Sequence, residues 1–137
     1  MLRVDATLEN LDVIRNFVEK HASEMGLGAD ATYGLILAAD EAATNIIVHG
    51  YKRKAGTIEV WVEREGDTLI VRLHDDAPPF DPTRVPAPDL KRSLEKRKPG
   101  GLGIFFIRHY TDEAVHRNPP EGGNELILKK KMSGGDQ

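Results

Sequence analysis

The chain has 137 residues, 39% of them hydrophobic and 30% charged, enough for one packed domain and short of two. A net charge of -3 argues against a nucleic-acid binder, whose affinity rests on a basic face meeting phosphates. The absence of cysteine excludes a disulfide frame, a thiolate nucleophile and a thiolate metal site. No apolar run approaches the roughly 20 residues that span a bilayer, and the opening MLRVDATLEN lacks a signal peptide's charged start and apolar middle. The expectation is a cytoplasmic protein with no membrane partner.

In chain order, Leu2 to Asp5 reads as an edge strand. Leu11, Ile14, Val18 and Met25 recur at spacings of three, four and seven, which predicts an amphipathic helix over 8–25 with Thr7 as N-cap and Gly26 as stop. A second helix is expected from Asp30, a candidate cap, to about His49, with Leu35, Ala39, Ala42 and Ile46 on one stripe and Gly50 ending it. From Thr57 the period changes to two. Ile58, Val60 and Val62 alternate with Glu59, Trp61 and Glu63, REGDT turns the chain, and Leu69, Val71 and Leu73 alternate again, the pattern of a β-hairpin. Trp61 falls on the outer face of that hairpin.

Five of the eight prolines lie between positions 78 and 88, so this stretch is a loop, followed by a basic segment. After Gly103, IFFIRHY suits a buried helix, and strands at about 113–117 and 124–130 flank the turn NPPEGG. The predicted fold class is α+β, a two-layer sandwich with helices packed on one face of a mixed, mostly antiparallel sheet. One domain over residues 1–131 and a frayed tail over 132–137 are expected.

Three polar features stand out. In DEAATNIIVHGY, residues 40–51, Glu41 and Asn45 are four apart and project from one helix face, with Asp40 and Thr44 forming a parallel pair beside them. Such residues read equally as a solvated strip. The surrounding alanines and isoleucines leave little of this helix facing solvent, however, and a polar pair held against a core needs a ligand, a metal or a buried partner. The second feature is RLHDDAPPF, where aspartates at a strand end face a loop stiffened by proline, well placed to accept hydrogen bonds or simply to form an Asp-Pro turn. The third is KPGGLGIFFIRHY, glycines just before a helix, which suits an anion such as phosphate and serves equally as a plain turn.

Taken in order, Glu41-Ala42-x-x-Asn45, then Asp75-x-Ala77-x-x-Phe80-Asp81-Pro82, then Gly100-Gly101-Leu102-Gly103 resemble the N, G1 and G2 boxes of the GHKL ATP-binding (Bergerat) fold of gyrase, heat-shock chaperone and histidine-kinase domains. Within that superfamily the chain is most similar to the small anti-sigma-factor serine/threonine kinases, over about residues 5–131. The resemblance implies that Asn45 ligates Mg²⁺, that Glu41 is the general base, and that Asp75 accepts a hydrogen bond from the adenine amino group. It further implies that Ala77 and Phe80 line the nucleotide site, that Gly101, Leu102 and Gly103 offer amides to phosphate, and that Gly100 lets a lid approach. Lys91, Arg92, Lys96, Arg97 and Lys98 fall in the family's lid segment.

The implied cofactors are ATP and Mg²⁺. The implied partners are an anti-sigma-factor antagonist, which is phosphorylated, and a sigma factor, in a partner-switching pathway; homodimers are common in the subfamily. Ala77 departs from the pattern, standing where the G1 box usually has glycine, and Pro79 replaces a second. If that backbone needs positive φ, alanine costs about 1 kcal/mol. The alternative this raises is a non-catalytic or weakly nucleotide-binding module that sequesters a protein partner.

Overall fold

A computed structural model describes residues 1–79 and 107–132. Its five strands are β1 (Leu2–Asp5), β2 (Thr57–Glu65), β3 (Thr68–Asp75), β4 (Glu113–Arg117) and β5 (Asn124–Lys131). They form one sheet in the order β1-β2-β3-β5-β4, and every pairing is antiparallel. Two long helices, α1 (Leu11–Glu24) and α2 (Ala29–Asn45), pack on each other, α1 also against β2 and α2 against β3 and β5. This is the expected α+β arrangement. The sequence IFFIRHY ends in helical residues 107–110, and Ile107 is fully buried.

The period-two pattern decides which sheet face receives the helices. Ile58, Val60, Leu69, Val71, Leu73, Leu126 and Leu128 are all buried in one core with Ile14 and Val18 of α1 and Leu35, Ala38, Ala39, Ala42 and Ala43 of α2. The opposite face carries rows of polar residues in register, such as Arg3, Glu59, His74, Glu125 and Arg117. Trp61 lies on that face as expected, half-buried, with the Arg72 guanidinium 5.2 Å from its ring centroid. The small residues of α2 let the helix sit close to its neighbours: a Cβ on Gly34 would fall 2.5 Å from a ring carbon of Tyr110.

Element ends differ from the sequence expectation in three places. Residues 8–10 form a 3-10 turn before α1 begins at Leu11, and Thr7 precedes it with no side-chain cap. Gly26 does end α1, at φ 94, a conformation that glycine adopts without Cβ strain. The α2 helix begins at Ala29 with Gly28 as the capping residue, so Asp30 lies in the first turn, where its charge favours the helix N-terminus without capping it. At its other end α2 does not continue regularly to His49. It widens into a π turn over Ile46–Gly50, in which the amide of Tyr51 donates to the Ile46 carbonyl at 2.8 Å.

Candidate functional site

The four polar residues at the end of α2 divide into two satisfied and two unsatisfied. Asp40 accepts a hydrogen bond from Arg15 of α1 at 2.5 Å, and Arg15 also pairs with Asp12. Thr44 donates its hydroxyl back to the Asp40 carbonyl at 2.8 Å, the usual way a threonine hides its side chain on a helix. Asp40 and Thr44 are therefore accounted for by α1 and by the helix itself.

Glu41 and Asn45 are not. Glu41 is half-buried and has no hydrogen-bond or ion-pair partner among the described residues, and burial first, then the charge of Asp40, pushes its carboxyl above the ordinary value. Asn45 is 1% exposed, and both its Nδ2 and its Oδ1 are buried without a partner among the described residues. An orphaned buried polar group costs about 1–3 kcal/mol, and native folds keep few of them unless something binds there. The carboxamide oxygen of Asn45 fits a hard cation that takes most of its other ligands from phosphates and water. Among the described residues no group of three His, Asp or Glu side chains could hold a metal without such outside ligands.

The π turn carries the end of α2 across to the end of β3. It places Tyr51 so that its hydroxyl donates to the Thr57 carbonyl at 2.7 Å and accepts from the Asp76 amide at 2.7 Å. Beyond it, Lys52 and Arg53 take left-handed backbone at φ 54 and 64, a conformation that costs each about 1 kcal/mol or more. The same turn puts Gly50 beneath Ala77: a Cβ on Gly50 would stand 3.3 Å from that of Ala77. Two residues from Ala77, Asp75 is 4% exposed. Its Oδ1 accepts from the Ala77 amide at 2.9 Å and from Asn124 Nδ2 at 3.0 Å. Burial raises the Asp75 carboxyl above its ordinary value, opposed by these two hydrogen bonds and by His74.

The condition that made Ala77 a concern is not met. Among the described residues only Lys52 and Arg53 are non-glycines with positive φ, so Ala77 is unstrained, and its methyl is 3% exposed in the core against Gly50. The π turn that follows α2 thus meets the end of β3 where Gly50 lies against Ala77 and the Tyr51 hydroxyl takes the Asp76 amide. Phe80, Gly100, Gly101, Leu102 and Gly103, with the lysines and arginines at 91–98, lie outside the described residues.

The chain matches the family described as the histidine kinase-like ATPase domain over residues 4–130. The chain belongs to that family. It is 27% identical to an anti-sigma F factor of Clostridium acetobutylicum over 96% of this chain and 92% of the relative. It is 31% identical to the serine/threonine-protein kinase BtrW of Bordetella bronchiseptica over 70% of this chain and 68% of the relative. To the serine-protein kinase RsbW of Bacillus cereus it is 28% identical, over 93% and 82% respectively. The resemblance to GHKL-type anti-sigma kinases and the α+β fold are thereby established, and the family carries ATP use with it.

Two residues of this site were not singled out from sequence. Tyr51 sits inside the quoted DEAATNIIVHGY, but its role depends on a π turn that no side-chain pattern announces. Asn124 reads as the first residue of an ordinary strand, and only the register that sets it opposite Asp75 gives it a role. The one available signal was the Gly122-Gly123 pair before it, since doubled glycines often mark a close backbone approach.

Proposed function

We propose that this protein is an ATP-dependent serine/threonine kinase that phosphorylates a small anti-sigma-factor antagonist and exchanges that partner with a sigma factor in the cytoplasm. The observation that carries the reading is the pairing on α2 of a half-buried Glu41 with a buried Asn45, one turn later, whose side chain has no partner among the described residues. Both stand on a helix whose neighbouring polar residues Asp40 and Thr44 are already satisfied, and the names of the relatives agree with the reading.

In this mechanism Asp75 accepts the amino group of the base, because an ionised carboxylate only accepts hydrogen bonds. Asn45 Oδ1 would hold Mg²⁺ from the described part of the chain, and the bound ion would neutralise phosphate charge. Glu41 takes the proton from the attacking serine hydroxyl as its oxygen bonds the γ-phosphorus. The bond to the bridging oxygen of the β-phosphate breaks, and ADP leaves with that electron pair. A carboxyl pushed upward by burial is a stronger base than one in water, and it needs no partner of its own until substrate arrives. Gly100, Gly101, Leu102 and Gly103 would give backbone amides to phosphate, and Phe80 would border the base. Residues 1–131 act as one domain, and a homodimer is the assembly proposed.

The test is transfer of labelled γ-phosphate to a serine of a candidate small anti-sigma-factor antagonist, by wild type and by Glu41→Ala. Transfer lost in Glu41→Ala with ATP still bound supports the kinase. Partner binding and regulation that are identical in both proteins, with no phosphate moved by either, would refute it.

A further inference from the structure

We propose that Asn124 is a positioning residue that sets the nucleobase preference of the site, by holding the Asp75 carboxylate and the chain just after it in the form that accepts a 6-amino group and rejects a 6-oxo group. The inference rests on the nucleotide site proposed above and deepens it.

Asn124 is 4% exposed, and its side chain is engaged at both ends. Nδ2 donates to Asp75 Oδ1 at 3.0 Å, to the Ala77 carbonyl at 3.2 Å and to the Pro78 carbonyl at 3.1 Å. Oδ1 accepts from Asn118 Nδ2 at 3.1 Å and lies 3.1 Å from His116 Nε2. One amide therefore joins the strand end that carries Asp75, the two residues that follow Asp76, and the β4–β5 turn. The approach needed for this is very close. A Cβ on Gly123 would lie 2.1 Å from the Asp75 carbonyl oxygen, and Gly123 has φ 81, so this position tolerates only glycine.

The chemistry follows from what is left over. With Oδ1 engaged by the Ala77 amide and by Asn124, Asp75 has Oδ2 as its remaining acceptor, matched to a purine that donates at position 6. A 6-oxo purine presents an acceptor there, and two acceptors facing one another in a dry site leave both unsatisfied. Asn124 also protects the charge on Asp75. Burial is the largest influence raising that carboxyl, and the Asn124 hydrogen bond is the first of those opposing it. Without Nδ2 the carboxyl gains protons more readily, and a protonated carboxyl donates to a 6-oxo group. Loss of Asn124 should therefore erode the preference for ATP over GTP as well as the affinity.

The experiment measures ATP and GTP dissociation constants by calorimetry for wild type and Asn124→Leu, with melting temperature recorded alongside. The expected result is ATP binding weakened about ten-fold with GTP binding unchanged or improved, so that the ATP/GTP ratio collapses. Equal weakening of both nucleotides, or a lowered melting temperature with the wild-type ratio kept, would overturn the proposal and leave Asn124 a structural residue. Should Asn124→Leu fail to fold, Asn118→Ala decides, because it removes the exposed donor to Asn124 Oδ1, together with its bond to the Gly123 carbonyl, and leaves Asn124 itself in place. A ratio lowered about two- to three-fold supports the proposal and an unchanged ratio overturns it. If wild type binds neither nucleotide, the reading of the site itself fails and this proposal falls with it; wild-type binding with an unchanged ratio in the folded variants overturns this proposal alone.

Discussion

Asn45→Leu is the substitution that separates function from stability most sharply. Leucine has nearly the shape of asparagine, so the change removes two buried polar atoms that lack partners among the described residues and opens no large cavity. At the low end of the usual cost, about 1 kcal/mol for each orphaned group, the nucleotide-free protein gains about 2 kcal/mol. Unfolding entropy is about 2.1 cal/mol/K per residue, or about 0.29 kcal/mol/K over 137 residues, so the melting temperature rises by about 7 °C. Wild type with Mg-ATP at one hundred times its dissociation constant gains about 2.7 kcal/mol, close to 9 °C on the same scale. The variant should lose most of that ligand-dependent rise. The assay is differential scanning fluorimetry of both proteins with and without Mg-ATP. A variant that melts below wild type without nucleotide, or that keeps the full rise with it, would refute the view of Asn45 as a polar side chain held in reserve for a ligand.

Three further outcomes follow from the same geometry. Glu41→Gln should abolish phosphate transfer and leave ATP affinity within about three-fold, since Glu41 acts on the attacking hydroxyl and not on the nucleotide; quench-flow and equilibrium titration separate the two. Its carboxyl is raised from 4.5 in the fold, so the stability it contributes is present below that pH and lost as pH rises through the higher folded value. Denaturant unfolding from acid to neutral pH should accordingly show the Gln variant gaining on wild type through that window and levelling off above it. Asp75→Asn should lose ATP binding, because an amide nitrogen can then face the base amino group. The Asp75 carboxyl is raised from 3.8, so by the same sign the variant should be no less stable than wild type at neutral pH, read as melting temperature. Gly123→Ala should destabilise by about 2–4 kcal/mol, through a left-handed φ and a clash with the Asp75 carbonyl, and a change under 1 kcal/mol would contradict the close approach.

Much of the architecture was legible because periodicity is a direct record of burial. The alternation of Ile58, Val60, Leu69, Val71 and Leu73 identified the hairpin and its buried face, and the spacing of Leu11, Ile14 and Val18 identified α1. The box residues Glu41, Asn45 and Asp75 were legible as a pattern of types at set spacings. Element ends were less so. Capping by Gly28, the 3-10 turn at Leu8–Asn10 and the π turn after Asn45 are small differences in backbone hydrogen bonding that the side-chain pattern scarcely constrains.

By itself, then, the sequence determined the fold class and the family and singled out the side chains proposed to carry the chemistry, since these depend on residue types and on local spacing. Only the tertiary structure decided how each polar residue is used. Asp40 and Glu41 are adjacent and chemically alike, yet one meets Arg15 of α1 and the other has no partner among the described residues. Ala77 looked like a strained replacement for glycine, and its backbone turned out to need no glycine. Asn124 acquired its place from a partner 49 residues away. Partners distant in sequence are set by strand register and helix packing, and those are properties of the whole fold.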